Sequence, residues 1–386
     1  MQTPIINSLL DTDLYKFTMM QCVFHHYPKT EVAYRFKCRK PIDLSPYVKH
    51  IQEEAANLCA LRLSEKELSY LASLPFFKGD FIDYLRNFQL NLQHIDITVE
   101  KNLDISIKGP WLETILFEVP ILAIVSEVYY RDNFPNADLQ EGRQRLHQKI
   151  SFLKDNHYDK LHFSDFGTRR RFSKDWQQEL LLSLKEMLPQ QFVGTSNIHF
   201  SQALELHPIG TMAHEYLQAF QVLAPELESS QKFALNLWLQ EYQGALGIAL
   251  TDVLTMDIFL KEFDTDLATR YAGLRQDSGD PFAWGDKAIK HYKSLGIDPS
   301  TKAFIFSDSL TLPKAAKIYD YFKNKCQPYF GIGTNLTNDV GFESLDIVIK
   351  MTHVNSLPVI KISDSIGKIV CEDSNYLNHI KKVFHL

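Results

Sequence analysis

The sequence predicts an α/β barrel joined to an N-terminal α+β domain, and two patterns carry that prediction. From about residue 160 onward, eight short apolar runs recur, each ending in small, polar or charged residues and each followed by helical periodicity. They are LHFSDF at 161, QFVGTSN at 191, LHPIGT at 206, LGIALTD at 246, YAGLRQDSGD at 271, AFIFSDS at 303, YFGIGTN at 329 and LDIVIKMTH at 345. Strands this short and apolar, alternating with helices, are parallel strands covered on both faces. The first 135 residues are patterned differently. They hold a helix candidate near Thr12 to Phe24, a β-like VAYRFKCR, an amphipathic stretch from Leu44 to Leu74, and LQHIDITVEKNLDISI at 92 to 107, which alternates as half-exposed strands do. The expected division is 1–135 for the N-terminal domain, 136–350 for the barrel and 351–386 for a segment packing on either. Its first boundary rests on the loop RDNFPNAD.

Composition narrows the function classes. The 386 residues are 45% hydrophobic and 23% charged, enough apolar material for a large core plus an accessory domain. A formal net charge of −6 gives no electrostatic reason to expect nucleic acid or an anionic membrane as partner, so any anion site must be locally basic. Five scattered cysteines (Cys22, Cys38, Cys59, Cys326, Cys371) show no CxxC spacing and read as reduced thiols. MQTPIINSLLDTD has no basic region followed by an apolar stretch, and the run Val119 to Val125 is too short to span a bilayer, so the expected location is cytoplasmic.

In such barrels chemistry sits at the C-terminal ends of the strands. At one of these ends, GTMAHE at 210 to 215 puts His214 in the first turn of a helix. A histidine there can pass protons or carry a phosphoryl group, and helix-start N–H groups favour anions. FGTRRR at 166 to 171 follows a strand with three arginines, of which one or two are expected to face inward. Guanidinium forks hold phosphate bidentately. In LRQDSGDP at 274 to 281, Arg275 can bind an anion while Asp277 or Asp280 contacts ribose hydroxyls or a phosphate-bound magnesium ion; the competing reading makes an Asp the cap of the next helix. GIGTNLTND at 331 to 339 lets backbone N–H groups approach a phosphate. SDS at 307 to 309 supplies hydroxyls and a carboxylate, with a helix N-cap at Ser307 or Ser309 as its favoured role.

Taken together, LLDTDLYKFTM at 9 to 19, FGTRRR, GTSN at 194 to 197, GTMAHE, RQDSGD and GIGTN resemble the nicotinate phosphoribosyltransferase family in sequence and in order. The resemblance implies the irregular, TIM-like barrel of type II phosphoribosyltransferases. Such barrels need not hold eight regular strands, and the run at 345 to 351 has the weakest claim to be one. It also implies transfer of 5-phosphoribosyl from phosphoribosyl pyrophosphate to the ring nitrogen of nicotinate in NAD salvage. Mg²⁺ and ATP take part, with ATP hydrolysis coupled through a phosphohistidine that matches His214. By resemblance Tyr15 and Phe166 flank the pyridine ring, while Thr211 and Arg275 lie near its carboxylate. Arg169, Asn197, Gly333, Thr334 and Asn335 match phosphoribosyl- or phosphate-binding positions, and Asp277 matches the carboxylate near the ribose. Tyr15 is far from the barrel in sequence, so the N-terminal segment is expected over a barrel mouth, within a homodimer. Related nicotinamide enzymes resemble GTD where this chain has GTS; Ser196 thus favours the acid, since a carboxylate there would repel nicotinate. The alternatives are transfer to nicotinamide or quinolinate, or a non-catalytic sensor of NAD precursors.

Overall fold

The computed structural model describes residues 3–364 and 373–386, which leaves Cys371 outside. The chain forms two compact units, one built from Met1–Lys29, Tyr34–Gly210 and Ile332–Ile349, the other from Thr30–Ala33, Thr211–Gly331 and Lys350–Leu386. The loop RDNFPNAD runs inside the first.

The strands are β1 (Glu31–Cys38), β2 (Ile95–Val99), β3 (Leu103–Pro110), β4 (His162–Asp165), β5 (Phe192–Thr195), β6 (His207–Pro208), β7 (Ile248–Leu250), β8 (Gly273–Gln276), β9 (Ala303–Phe306), β10 (Gln327–Ile332), β11 (Ile347–Val354) and β12 (Leu357–Pro358). One sheet has five strands in the order β12-β11-β1-β3-β2, the other seven in the order β6-β5-β4-β10-β9-β8-β7. The seven-stranded sheet is the half-barrel. Its pairs β4–β5, β5–β6, β7–β8, β8–β9 and β9–β10 are parallel.

Seven of the eight apolar runs are therefore the seven strands of the half-barrel. The eighth, β11, belongs to the other sheet and corrects the count of eight. Its physical reason lies just beyond it: Asn355 and Ser356 take φ of 47° and 67°, a two-residue turn that returns the chain antiparallel as β12, with Val354 opposite Leu357. A barrel strand would need a crossover instead. The alternating stretch at 92–107 is the hairpin β2–β3, with Ile95 opposite Ile107.

The half-barrel strands are apolar because both faces are covered. In β9, Phe304 and Phe306 are wholly buried, and Trp284 of the helix Pro281–Ser294 meets each ring edge-on at 5.4 Å between centroids. Burying side chains of this size stabilises by roughly 1.5–3 kcal/mol apiece. Gly273 lets β8 approach β9 closely, since a Cβ there would stand 1.9 Å from the Ala303 carbonyl oxygen. Packing thus fixes the strands, and their C-terminal ends hold the residues described next.

Candidate active site

The second unit gathers a charged cluster around His214. This residue opens the helix His214–Leu223 after Ala213, which provides no side-chain cap. Its Nε2 lies 3.0 Å from Asp252 Oδ1, 3.7 Å from Asp277 Oδ2 and 2.6 Å from Lys361 Nζ. Lys361 also reaches Asp252 Oδ2 at 2.9 Å, and the Ser278 hydroxyl donates to the same oxygen at 2.6 Å. Asp252 follows β7, while Asp277 and Ser278 follow β8. Arg275, in β8, donates from Nε to Ser307 Oγ at 3.1 Å and from Nη1 to the Met212 carbonyl at 3.4 Å, with Nη2 3.6 Å from Asp277 Oδ1. Thr211 donates to the Ile248 carbonyl at 3.1 Å.

Burial, then the Lys361 ammonium, hold His214 down to about 4 against the opposing pull of Asp252 and Asp277, so the imidazole is neutral near pH 7. Burial works to raise Asp252, but Lys361 and His214 outweigh it and hold the carboxyl well below its ordinary range. Asp277 is likewise held down, burial being outweighed by Arg275, His214 and Lys361. The result is a nearly neutral imidazole between ionised groups of both signs, suited to accepting an anionic group.

Hydrogen bonds distinguish the hydroxyls and carboxylates at these strand ends. Asp280 caps the helix Pro281–Ser294, accepting from Ala283 N at 2.8 Å, whereas Asp277 faces His214. Ser307 and Ser309 do not cap the helix Leu312–Phe322; Thr311 does, accepting from Lys314 N. The Ser307 hydroxyl instead lies 2.8 Å from Asp277 Oδ1.

The first unit holds the other predicted residues. Here the N-terminal segment docks on the end of β5 within its own chain: Leu14 N donates to Ser196 O at 2.8 Å, and Ile198 N donates to Thr12 O at 3.0 Å. Ser196 Oγ donates to Asp13 Oδ1 at 2.7 Å. Tyr15 lies in the first turn of the helix Leu14–His26, beside this contact. Asn197 is fully buried and engaged, donating to Asp11 and Thr168 and capping Phe200 N, so its amide serves the scaffold. Arg171 is fully buried, forked onto Asp11 at 2.7 and 2.9 Å and bonded through Nε to Glu127 at 2.7 Å. Arg170 is bonded to the Ile347 carbonyl and paired with Asp346. Arg169 is the most exposed of the three, with a looser 3.6 Å approach to Glu118.

The loops after β4 and β10 are knitted together. Phe166 N donates to Ile332 O at 2.9 Å, Thr337 Oγ1 to Gly167 O at 2.9 Å and Asn338 Nδ2 to Arg170 O at 2.7 Å. A Cβ on Gly167 would strike the buried Thr337 at 2.3 Å, and one on Gly333 would press on the Phe166 carbonyl oxygen at 3.0 Å, so the two loops meet closely at both glycines. This brings Phe166, Arg169 and the Gly333-Thr334-Asn335 turn into one neighbourhood.

Asp252, Ser278 and Lys361 were not singled out from sequence. Asp252 ends the run LGIALTD and carried a readable signal; Lys361 had none. Among the described residues, no group of three or more His, Cys, Asp or Glu side chains is placed to hold a metal ion, and no helix is long and apolar enough to cross a membrane.

A parallel half-barrel that carries arginines, carboxylates and a helix-start histidine at its strand ends defines an α/β-barrel enzyme. The family models agree on which. Residues 161–386 match the nicotinate phosphoribosyltransferase family and residues 10–126 its N-terminal domain. Nicotinate phosphoribosyltransferase of Burkholderia mallei is 52% identical over 98% of this chain and 97% of its own, and that of Cupriavidus necator 50% identical over 98% of each. Crystal structures of nicotinate phosphoribosyltransferase from Vibrio cholerae (TM-score 0.95, 41% identity, 99% of this chain and 94% of that one) and Porphyromonas gingivalis (TM-score 0.93, 32% identity, 99% and 100%) share the fold. The chain belongs to the nicotinate phosphoribosyltransferase family.

Proposed function

We propose that this protein transfers 5-phosphoribosyl from phosphoribosyl pyrophosphate to nicotinate, and that it couples the transfer to ATP hydrolysis through a phosphohistidine at His214. The observation that carries the reading is the buried, neutral His214 set among Asp252, Asp277 and Lys361 in a chain of this family.

In the transfer, the nicotinate ring nitrogen bonds to the ribose anomeric carbon as the bond to the pyrophosphate oxygen breaks. Positive charge develops on the sugar and negative charge on the leaving group, so catalysis rests on positioning and on neutralising pyrophosphate. Tyr15 and Phe166 flank the pyridine. Arg275, its guanidinium oriented by Ser307 and the Met212 carbonyl, takes the carboxylate with Thr211. Arg169 and the Gly333-Thr334-Asn335 turn hold the phosphoribosyl phosphate, and Asp277 meets the ribose hydroxyls. Mg²⁺ arrives as the counter-ion of pyrophosphate and ATP.

In the coupling step a nitrogen of His214 attacks the γ-phosphorus, and the bond to ADP breaks with the electron pair leaving on ADP. Water later cleaves the N–P bond, releasing phosphate and restoring the imidazole. Only the neutral ring has a lone pair to offer, which the lowered His214 supplies. We extend the reading to a cytoplasmic homodimer, for which sedimentation tests the assembly.

The test is incubation of wild type and His214→Ala with Mg²⁺ and γ-labelled ATP, followed by nicotinate and phosphoribosyl pyrophosphate. Acid-labile label on wild type alone, discharged as nicotinate mononucleotide forms, supports the reading. Product without label removes the phosphohistidine and keeps the transferase; folded protein giving neither label nor product overturns both.

A further inference from the structure

The residue nearest the His214 ring nitrogen comes from the C-terminal segment, for which the sequence suggested no chemistry. Lys361 is 7% exposed, and its Nζ stands 2.6 Å from His214 Nε2 and 2.9 Å from Asp252 Oδ2. Its backbone is held on both sides. Ile360 N donates to Gln221 Oε1 at 2.9 Å, Gln221 Nε2 donates to Ile360 O at 2.7 Å, and Ile362 N donates to Val253 O at 2.8 Å. Gln221 lies on the helix that begins with His214, so one helix carries the histidine and grips the chain that delivers the lysine. Ile360 and Ile362 are packed with Leu254 and Ile258 and with Ile380 and Phe384 of the C-terminal helix, while Lys361 between them points the other way, as alternation in an extended chain requires.

Charge gives this placement a purpose. Among the described residues, the other charged groups within 4 Å of the His214 ring are the carboxylates Asp252 at 3.0 Å and Asp277 at 3.7 Å, and the neighbouring cation Arg275 is turned toward Asp277. A phosphoryl group approaching that ring would meet two negative charges.

We propose that Lys361 is a positioning residue for phosphorylation of His214, fixing the imidazole together with Asp252 and supplying the positive charge that lets an anionic phosphoryl group approach. The inference rests on the reading of His214 as phosphoryl acceptor. It gives the C-terminal segment a part in energy coupling. A lysine that merely neutralised a buried aspartate would support the fold and leave the labelling rate on the neutral plateau unmoved.

The experiment measures single-turnover labelling of the protein by γ-labelled ATP from pH 3.5 to 8 in wild type, Lys361→Met, Lys361→Gln and Lys361→Arg, with thermal melting as the check on folding. Removing the cation slows labelling on the order of tenfold or more. It also moves the acid limb to higher pH by about one unit, because His214, still facing Asp252 and Asp277, then takes a proton more readily. Lys361→Arg returns part of the rate and lowers the limb again. Labelling of the folded Met or Gln variant at the wild-type rate and with the wild-type pH profile overturns the proposal while leaving His214 in place. Absence of label from wild type overturns the phosphohistidine reading instead.

Discussion

Ser196 donates its hydroxyl hydrogen to Asp13 across 2.7 Å, tying the end of β5 to the residue that precedes the helix bearing Tyr15. Both side chains are nearly free of solvent, and burial raises Asp13 above its ordinary value, against the pull of Arg169 and of this hydrogen bond. Ser196→Asp would replace the donor by a second buried carboxylate facing the first. One of the two must then protonate or the pair repels, and nicotinate brings a third negative group. We expect kcat/KM for nicotinate to fall on the order of tenfold or more. Steady-state kinetics with nicotinate and nicotinamide check this, with melting to confirm folding. Unchanged values for both substrates would show that Ser196 does not discriminate acid from amide.

The three consecutive arginines differ in environment and so in what their loss does. Arg171 neutralises Asp11 and Glu127 in a fully buried network, and Arg171→Met leaves Asp11 to Lys174 at 3.2 Å and Glu127 to Arg131 at 3.8 Å. The expected loss is about 3–5 kcal/mol, read as a collapse in soluble yield or melting temperature. Arg169, a third exposed, stands 3.6 Å from Glu118 and pulls on the buried Asp13, a lighter load than that of Arg171. Arg169→Met should melt closer to wild type than Arg171→Met does and raise KM for phosphoribosyl pyrophosphate. If Arg171→Met were as stable as Arg169→Met, the structural assignment would be wrong.

Asp277 and Asp280 separate in the same way. Asp280 is an exposed N-cap, so Asp280→Ala should cost about 1 kcal/mol in denaturant unfolding and leave turnover near wild type. Asp277 faces His214 and Arg275, so Asp277→Ala should fold and lose most turnover. Equal turnover in the two variants would contradict this division.

The strands of the half-barrel were legible because each couples an apolar run to a polar end, a local pattern. β11 was misplaced because its apolar content matches theirs, and what sets it apart is the turn at Asn355 and Ser356. His214, Arg275 and Asp277 could be read because their residue types are unusual at strand ends. Ser307 and Thr311 show the limit of that method: both are hydroxyl residues near a helix start, and only the fold decides which one caps it. Lys361 could not be read at all, since it meets His214 across 147 residues of sequence with no local pattern to mark it.

The lowered His214 also makes a statement about stability. In the unfolded chain it titrates near 6.5 and in the folded protein near 4, so between these values the unfolded state binds a proton that the native state refuses. Stability from this group is complete above pH 6.5 and falls as pH drops toward 4, by an amount on the order of 2–3 kcal/mol. Asp165 and Asp364 act oppositely. Burial raises each to about 6, so in the folded state they take up protons between 6 and 3.8 and gain stability as pH falls. Asp252 and Asp277 are held below 3.8 and add their slope only at lower pH. The net wild-type profile therefore mixes signs, and the difference between wild type and His214→Asn isolates the histidine. Between pH 7.5 and 5, wild type should lose more melting temperature than His214→Asn, in calorimetry at matched ionic strength. Equal losses would mean that folded His214 titrates near its ordinary value, and that burial and Lys361 do not hold it down.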